Sequence, residues 1–225
     1  MKIDDLREQM CIPANETKPS DRFERIADAL INEFAISYMD EKYRILELEF
    51  YFYNKNHQDI TVHPRKSDAL CWYINDFGGI DLNFESKIER VVTNGPKYIP
   101  KYVLTDDSYF GGILIRKVQR VSDKVDFDGP LKVAELFRIL DATSVTQKTP
   151  LLVEYFHLEK RGWERLSRHK ILGSHKGDAK EQVKKKVNYN LQQCFVNVFD
   201  DDTKCNLEKL MLEKFRDAKY GYHIK

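Results

Sequence analysis

Long apolar runs are missing from this 225-residue chain. A membrane-spanning helix needs roughly 18 or more consecutive apolar residues, and charges or polar groups break every stretch well before that. The opening MKIDDLREQM places acids where a secretory leader carries its apolar segment. The expectation is a soluble, cytoplasmic protein with no membrane partner. Cysteine pairs are also missing. Cys11, Cys71, Cys194 and Cys205 lie far apart and form no CxxC motif, so a disulfide framework is not expected. The nearest approach to a metal set is His169 and His175 with Cys194 and Cys205, whose spacing fits no zinc pattern. Internal repeats and low-complexity tracts do not occur.

Net charge is scarce as well, at +1, so global charge names no partner. Its distribution says more. Residues 160–186 hold ten Lys and Arg against three acids, a local excess of +7 balanced by −6 elsewhere. Such asymmetry is an electrostatic footprint suited to phosphate, although a solvated helix face would look the same. What the chain does have is enough apolar and aromatic content (42% and 12%) to bury a core.

The periodicities predict an α+β chain with a single domain over 1–225. Residues 1–19 read as a loose N-terminal arm. Phe23, Ile26, Ala27, Leu30, Ile31 and Phe34 form one apolar stripe, predicting a helix from 21 to about 38 capped by Ser20. A strand is expected over 43–53, followed by a polar loop. Two short strands around Gly78 and Gly79 are expected in 71–84, and a strong strand in 109–121. Helices are predicted at 130–141, 177–195 and 206–218, with a strand at 151–157.

The stretch RILELEFY, 44–51, holds the chemical interest. Strand alternation puts Leu46, Leu48 and Phe50 on one face and Glu47, Glu49 and Tyr51 on the other. Arg116 shares its parity with Leu114 and Val118, and a guanidinium on an apolar strand face calls for a carboxylate partner. Glu47 is assigned to solvent or to a structural pair. His63 precedes Pro64, Arg65 and Lys66, a basic pair able to touch phosphate.

The order of these segments resembles the alkyladenine (3-methyladenine) DNA glycosylase family. RILELEFY is similar to the family strand R-I-V-E-T-E-A-Y, and the aromatic Cys71–Phe84 segment to the family's tyrosine-rich Y-x-Y-x-x-Y-G stretch. GGILIRK resembles the V-L-L-R-A strand, and DGPLK the G-P-x-K-L segment. The likeness covers about residues 40–141. The family's inserting Tyr is Phe77 here, and a second ring-stacking Tyr falls at Ile74, where Trp72 or Tyr73 is the available substitute.

This resemblance implies a curved, mostly antiparallel sheet surrounded by helices, and a monofunctional hydrolase of base excision repair. Such an enzyme flips a damaged, alkylated or deaminated purine out of duplex DNA and cleaves its N-glycosidic bond. Glu49 would deprotonate the attacking water, with Arg116 holding it. Tyr51 would stack on the base, while His63 (with His57 in reserve) and Asn83 would read its edge. Phe77 would fill the gap in the duplex. Arg65, Lys66, Lys184, Lys185 and Lys186 would bind phosphate. No cofactor or metal is implied, and the protein would act as a monomer on double-stranded DNA. The alternatives are a non-catalytic nucleic-acid-binding protein of the same fold, and an interaction domain whose Glu47, Glu49 and Tyr51 face is merely wet.

Overall fold

The computed structural model describes residues 1–75, 78–92, 100–138, 149–167, 179–215 and 218–225. Its spine is the long strand β2 (Glu41–Asn54). Ile, Leu and aromatic side chains alternate there with polar ones, a pattern that fits a half-buried pleated surface. Along one edge of β2 runs β8 (Phe110–Arg120), antiparallel, from Tyr43↔Arg120 to Tyr53↔Phe110. Along the other edge three short strands follow one another. β1 (Phe34–Tyr38) pairs with its start, β12 (Gly221–Ile224) with Glu47–Glu49 in its middle, and β3 (His57–Gln58) with its end.

The sheet continues from β8 through β5 (Gly79–Asn83) to β4 (Trp72–Asn75), with β9 (Asp126–Asp128) also on β8. Beyond β1 lies β10 (Leu151–Glu154), and beyond β12 lies β11 (Trp163–Leu166). β6 (Glu89–Val91) and β7 (Lys101–Val103) form a separate antiparallel pair. With five α-helices among the described residues, the chain is a mixed α+β fold built on a curled antiparallel sheet.

Helix α2 (Pro19–Asn32) lays Phe23, Ile26, Ala27, Leu30 and Ile31 on one face of this sheet, against Leu48, Phe50, Phe84 and Tyr222. Helix α3 (Pro130–Arg138) adds Val133 and Phe137 to the same core. A second cluster gathers under α4 (Ala179–Cys194) and α5 (Asp201–Leu210), where Val183, Val187, Leu191 and Phe195 meet Ile60, Val62 and Phe110. α5 runs on into a π-helical turn at Met211–Phe215.

Three expectations need correction. The helix begins at Pro19, not Asp21, with Lys18 at the N-cap and no side-chain cap, so Ser20 does not cap it. It ends at Asn32, not near 38. From Phe34 the apolar period changes from 3.6 to 2, through Phe34, Ile36 and Tyr38, and the segment is strand β1. β1 and β2 are joined by Met39 and Asp40, both at positive φ, as a two-residue hairpin turn requires.

The N-terminal arm is not loose. Helix α1 (Ile3–Gln9) buries Leu6, and Met10 and Ile12 join the main core. Arg7 donates to the Ala69 carbonyl (2.9 Å), and Asn54 Nδ2 donates to the carbonyls of Pro13 and Glu16. The last predicted helix starts at Asp201, five residues early, where Asp200 caps it by accepting from Thr203 N–H (2.7 Å).

Candidate active site

Three strands place the polar groups in rows across one sheet face. Glu49 on β2 stands opposite Leu114 on β8, which stands opposite Asp81 on β5. The two carboxylates are thus two strand spacings apart, roughly 10 Å between backbones. In the next row Tyr51 stands opposite Gly112, and Gly112 opposite Asn83. Gly112 explains the lie of the tyrosine. A Cβ there would sit 2.6 Å from Tyr51 Oη and 3.0 Å from its Cζ, so the phenol ring lies across the gap that the glycine leaves.

Arg116 grips both carboxylates of the β2 face. Its Nη1 donates to Glu49 Oε2 at 2.8 Å and its Nε to Glu47 Oε1 at 3.0 Å. A register shift in the β2–β8 ladder falls on either side of Glu47, and such a bulge re-aims side chains at functional sites. Glu47 therefore belongs to a structural pair, one of the two roles expected for it. His223, brought in on β12, lies 3.3 Å from Glu47 Oε2. Glu49 is only 4% exposed, and the ion pair supplies what burial of a carboxylate demands.

Glu49 opens on a cavity of about 190 Å³, lined also by Tyr51, Thr61, Val62, His63, Arg65, Asp81 and Lys186. The sequence-predicted Glu49, Tyr51 and His63 are thus brought together. His63 keeps an open edge, yet packing by the protein, then the charges of Arg65 and Lys186, hold its imidazole down to about 4. It is a neutral ring near pH 7, in contact with the Cys194 thiol (3.4 Å), which burial pushes up to about 11. Burial, and secondarily Asp81, raise Tyr51 well above the usual phenol range, so it too stays neutral.

His57 lies elsewhere. Its Nδ1 contacts the Phe52 carbonyl (2.8 Å), its Nε2 the Tyr220 hydroxyl (2.9 Å), and its ring packs on Phe215. It serves the core. Asn83 does not line this cavity: its Oδ1 accepts from Arg65 (3.1 Å) and its Nδ2 donates to Ser67. The strand residue that does face in is Asp81, which sequence reasoning missed. The signal was present, since Asp81 and Asn83 share one parity of GIDLN against Ile80 and Leu82.

Arg65 is buried, paired with Asp81 at 2.7 Å, and stacked over Tyr73 with its Cζ 3.8 Å from the ring centroid. It forms a wall of the cavity rather than a free phosphate contact. Burial raises the Asp81 carboxyl against the opposing pull of Arg65. Of the lysines, Lys66, Lys184 and Lys185 are exposed, with Lys185 paired to Glu181 (2.7 Å), while Lys186 reaches the cavity. Phe77 lies outside the described residues, as do His169, His175 and residues 168–178 of the basic segment. No cluster of His, Cys, Asp or Glu suited to a metal occurs among the described residues. No helix among them is long and apolar enough to cross a membrane.

No family model matches the chain, and no solved structure matches it. It is similar to an uncharacterised protein of Acanthamoeba polyphaga mimivirus, with 31% identity over 142 residues. The match takes in 57% of this chain and 62% of that protein, so the chain spans less than two thirds of its relative.

Proposed function

We propose that the protein is a DNA glycosylase that excises a flipped, damaged purine by hydrolysis, with a fold of the alkyladenine glycosylase type. One observation carries the reading. A buried glutamate, paired with an arginine at 2.8 Å, opens on a small cavity lined by an aromatic ring. A base stacked in the duplex is out of reach, so it must swing into such a pocket. Tyr51 offers the stacking face. Glu49 takes a proton from the attacking water and stabilises the positive charge that grows on the sugar as the bond to the base breaks. Arg116 keeps Glu49 deprotonated until the water arrives. Neutral His63 gives a hydrogen bond to the base edge. Lys184 and Lys185 on α4 contact phosphate beyond the pocket.

A base-release assay tests this. Wild type and Glu49→Gln are incubated with duplexes that carry single hypoxanthine, ethenoadenine or methylated purine residues, and alkali then cuts any abasic site. Wild type is expected to release one of these bases, and Glu49→Gln to bind the same duplex without releasing it. Tight binding by both proteins with no release by either would overturn the catalytic reading in favour of a non-catalytic DNA-binding protein.

A further inference from the structure

A second cavity, of about 330 Å³, lies behind the first and shares His63 and Arg65 with it. This volume is within the range of small-ligand pockets. Three aromatic rings line it, Trp72, Tyr73 and Tyr102, together with the cations Lys66 and Arg90. None of the described residues lining it is an acid. The first cavity, in contrast, contains Glu49 and Asp81.

The Arg65 guanidinium is the partition between the two. It stands 5.7 Å from the Tyr51 ring centroid on one side and 3.8 Å from that of Tyr73 on the other. Asp81 and Asn83 fix it in that plane. Tyr73 is 37% exposed, unusual for a ring so firmly stacked, and this leaves ring surface open to a ligand. Arg90 and Tyr102 face each other across the β6–β7 ladder, which sets a cation and an aromatic ring side by side.

Rings that accept a flat heterocycle, beside the cations Lys66 and Arg90, describe a site for an aromatic anion. We infer that this second cavity holds a nucleotide, namely the one next to the flipped nucleotide on the same strand. Its base stacks on Tyr73, and its phosphate meets Lys66 and Arg90. The inference rests on the glycosylase reading for the identity of the strand, but the site's chemistry stands by itself. Arg65 would then separate two consecutive bases, and the strand would cross the protein over a wall built of His63 and Arg65.

The test is titration calorimetry of the full chain with deoxyadenosine 5′-monophosphate, deoxyadenosine, inorganic phosphate and a single-stranded trinucleotide. The monophosphate is expected to bind roughly tenfold or more tighter than either deoxyadenosine or phosphate, and the trinucleotide tighter still. Tyr73→Ala and the surface change Lys66→Glu should each weaken the monophosphate by about tenfold, the scale of one lost stack, while Glu49→Gln leaves it unchanged. Unaltered affinity in both Tyr73→Ala and Lys66→Glu, or loss in Glu49→Gln, would overturn the site. A trinucleotide no tighter than the monophosphate would overturn the strand assignment in favour of a free nucleotide. Nucleotide binding that depends on Tyr73, in a protein that releases no base, would overturn the catalytic reading alone.

Discussion

At the scale of single residues, the site is governed by charges that cannot be left alone. Arg116 holds Glu47 and Glu49 at once. Its removal would take the shared guanidinium away from two largely buried carboxylates. Arg116→Ala should therefore cost about 3 kcal/mol in urea unfolding, and a loss below about 0.5 kcal/mol, the level of a surface pair, would show that Arg116 does not neutralise them. His63 makes a second prediction. Its folded pKa, about 4, lies below the ordinary imidazole value of about 6.5. The unfolded chain therefore binds the extra proton first as pH falls. The stability present above pH 6.5 is lost progressively between about 6.5 and 4 and then levels off. NMR titration of the His63 ring should show a midpoint below 5, and urea midpoints between pH 7 and 5 should fall further for wild type than for His63→Asn. A ring midpoint near 6.5 would contradict the packing described around it.

At the scale of elements, strand β8 works through its glycines. At Gly111 an added Cβ would meet backbone, at 2.4 Å from the Tyr51 carbonyl oxygen and 2.9 Å from Phe52 Cα. At Gly112 it would first meet the movable end of the Tyr51 side chain. Gly111→Ala should thus destabilise more than Gly112→Ala, for which about 1–3 kcal/mol is expected from overpacking. Tyr51→Phe should recover part of the Gly112→Ala loss, because it removes the atom in closest conflict. Thermal melts of the four proteins would show both effects, and an absence of recovery would mean that the ring does not lie over Gly112. Alternation made much of this legible in the sequence. β2, β8 and the β4–β5 hairpin follow it, and the Arg116–carboxylate pairing was readable from a guanidinium on an apolar strand face. What stayed hidden has physical causes. The change of period at Phe34 lies at the end of a stripe that reads smoothly as helix. α1 is too short to announce itself, and β11 and β12 are short strands whose pairing is set only by distant partners. Asp81 was overlooked because Asn83, two residues on along the same face, suited the resemblance better.

At the scale of the whole molecule, the cavity lies where two packed regions meet. The sheet supplies Glu49, Tyr51 and Asp81, and the cluster under α4 supplies Val62, His63 and Lys186. The N-terminal segment supports the sheet side from a distance. Leu6→Ala, at a fully buried position, should lower stability by about 3 kcal/mol without contact with the cavity. If DNA is the ligand, affinity should fall steeply with salt, and Lys184→Ala with Lys185→Ala should reduce the log–log salt slope by about 2 units. An unchanged slope would place the phosphate contacts elsewhere. Strand β12 carries a consequence of another kind. It docks on the middle of β2 and sets His223 against Glu47, partners separated by most of the chain. Pairings this distant form slowly, since a large loop must close before any contact rewards it. During refolding from denaturant, the β2–β8 ladder can regain its circular dichroism while the neighbourhood of Glu47 is still open, so the surroundings of Glu47 are completed only when β12 docks.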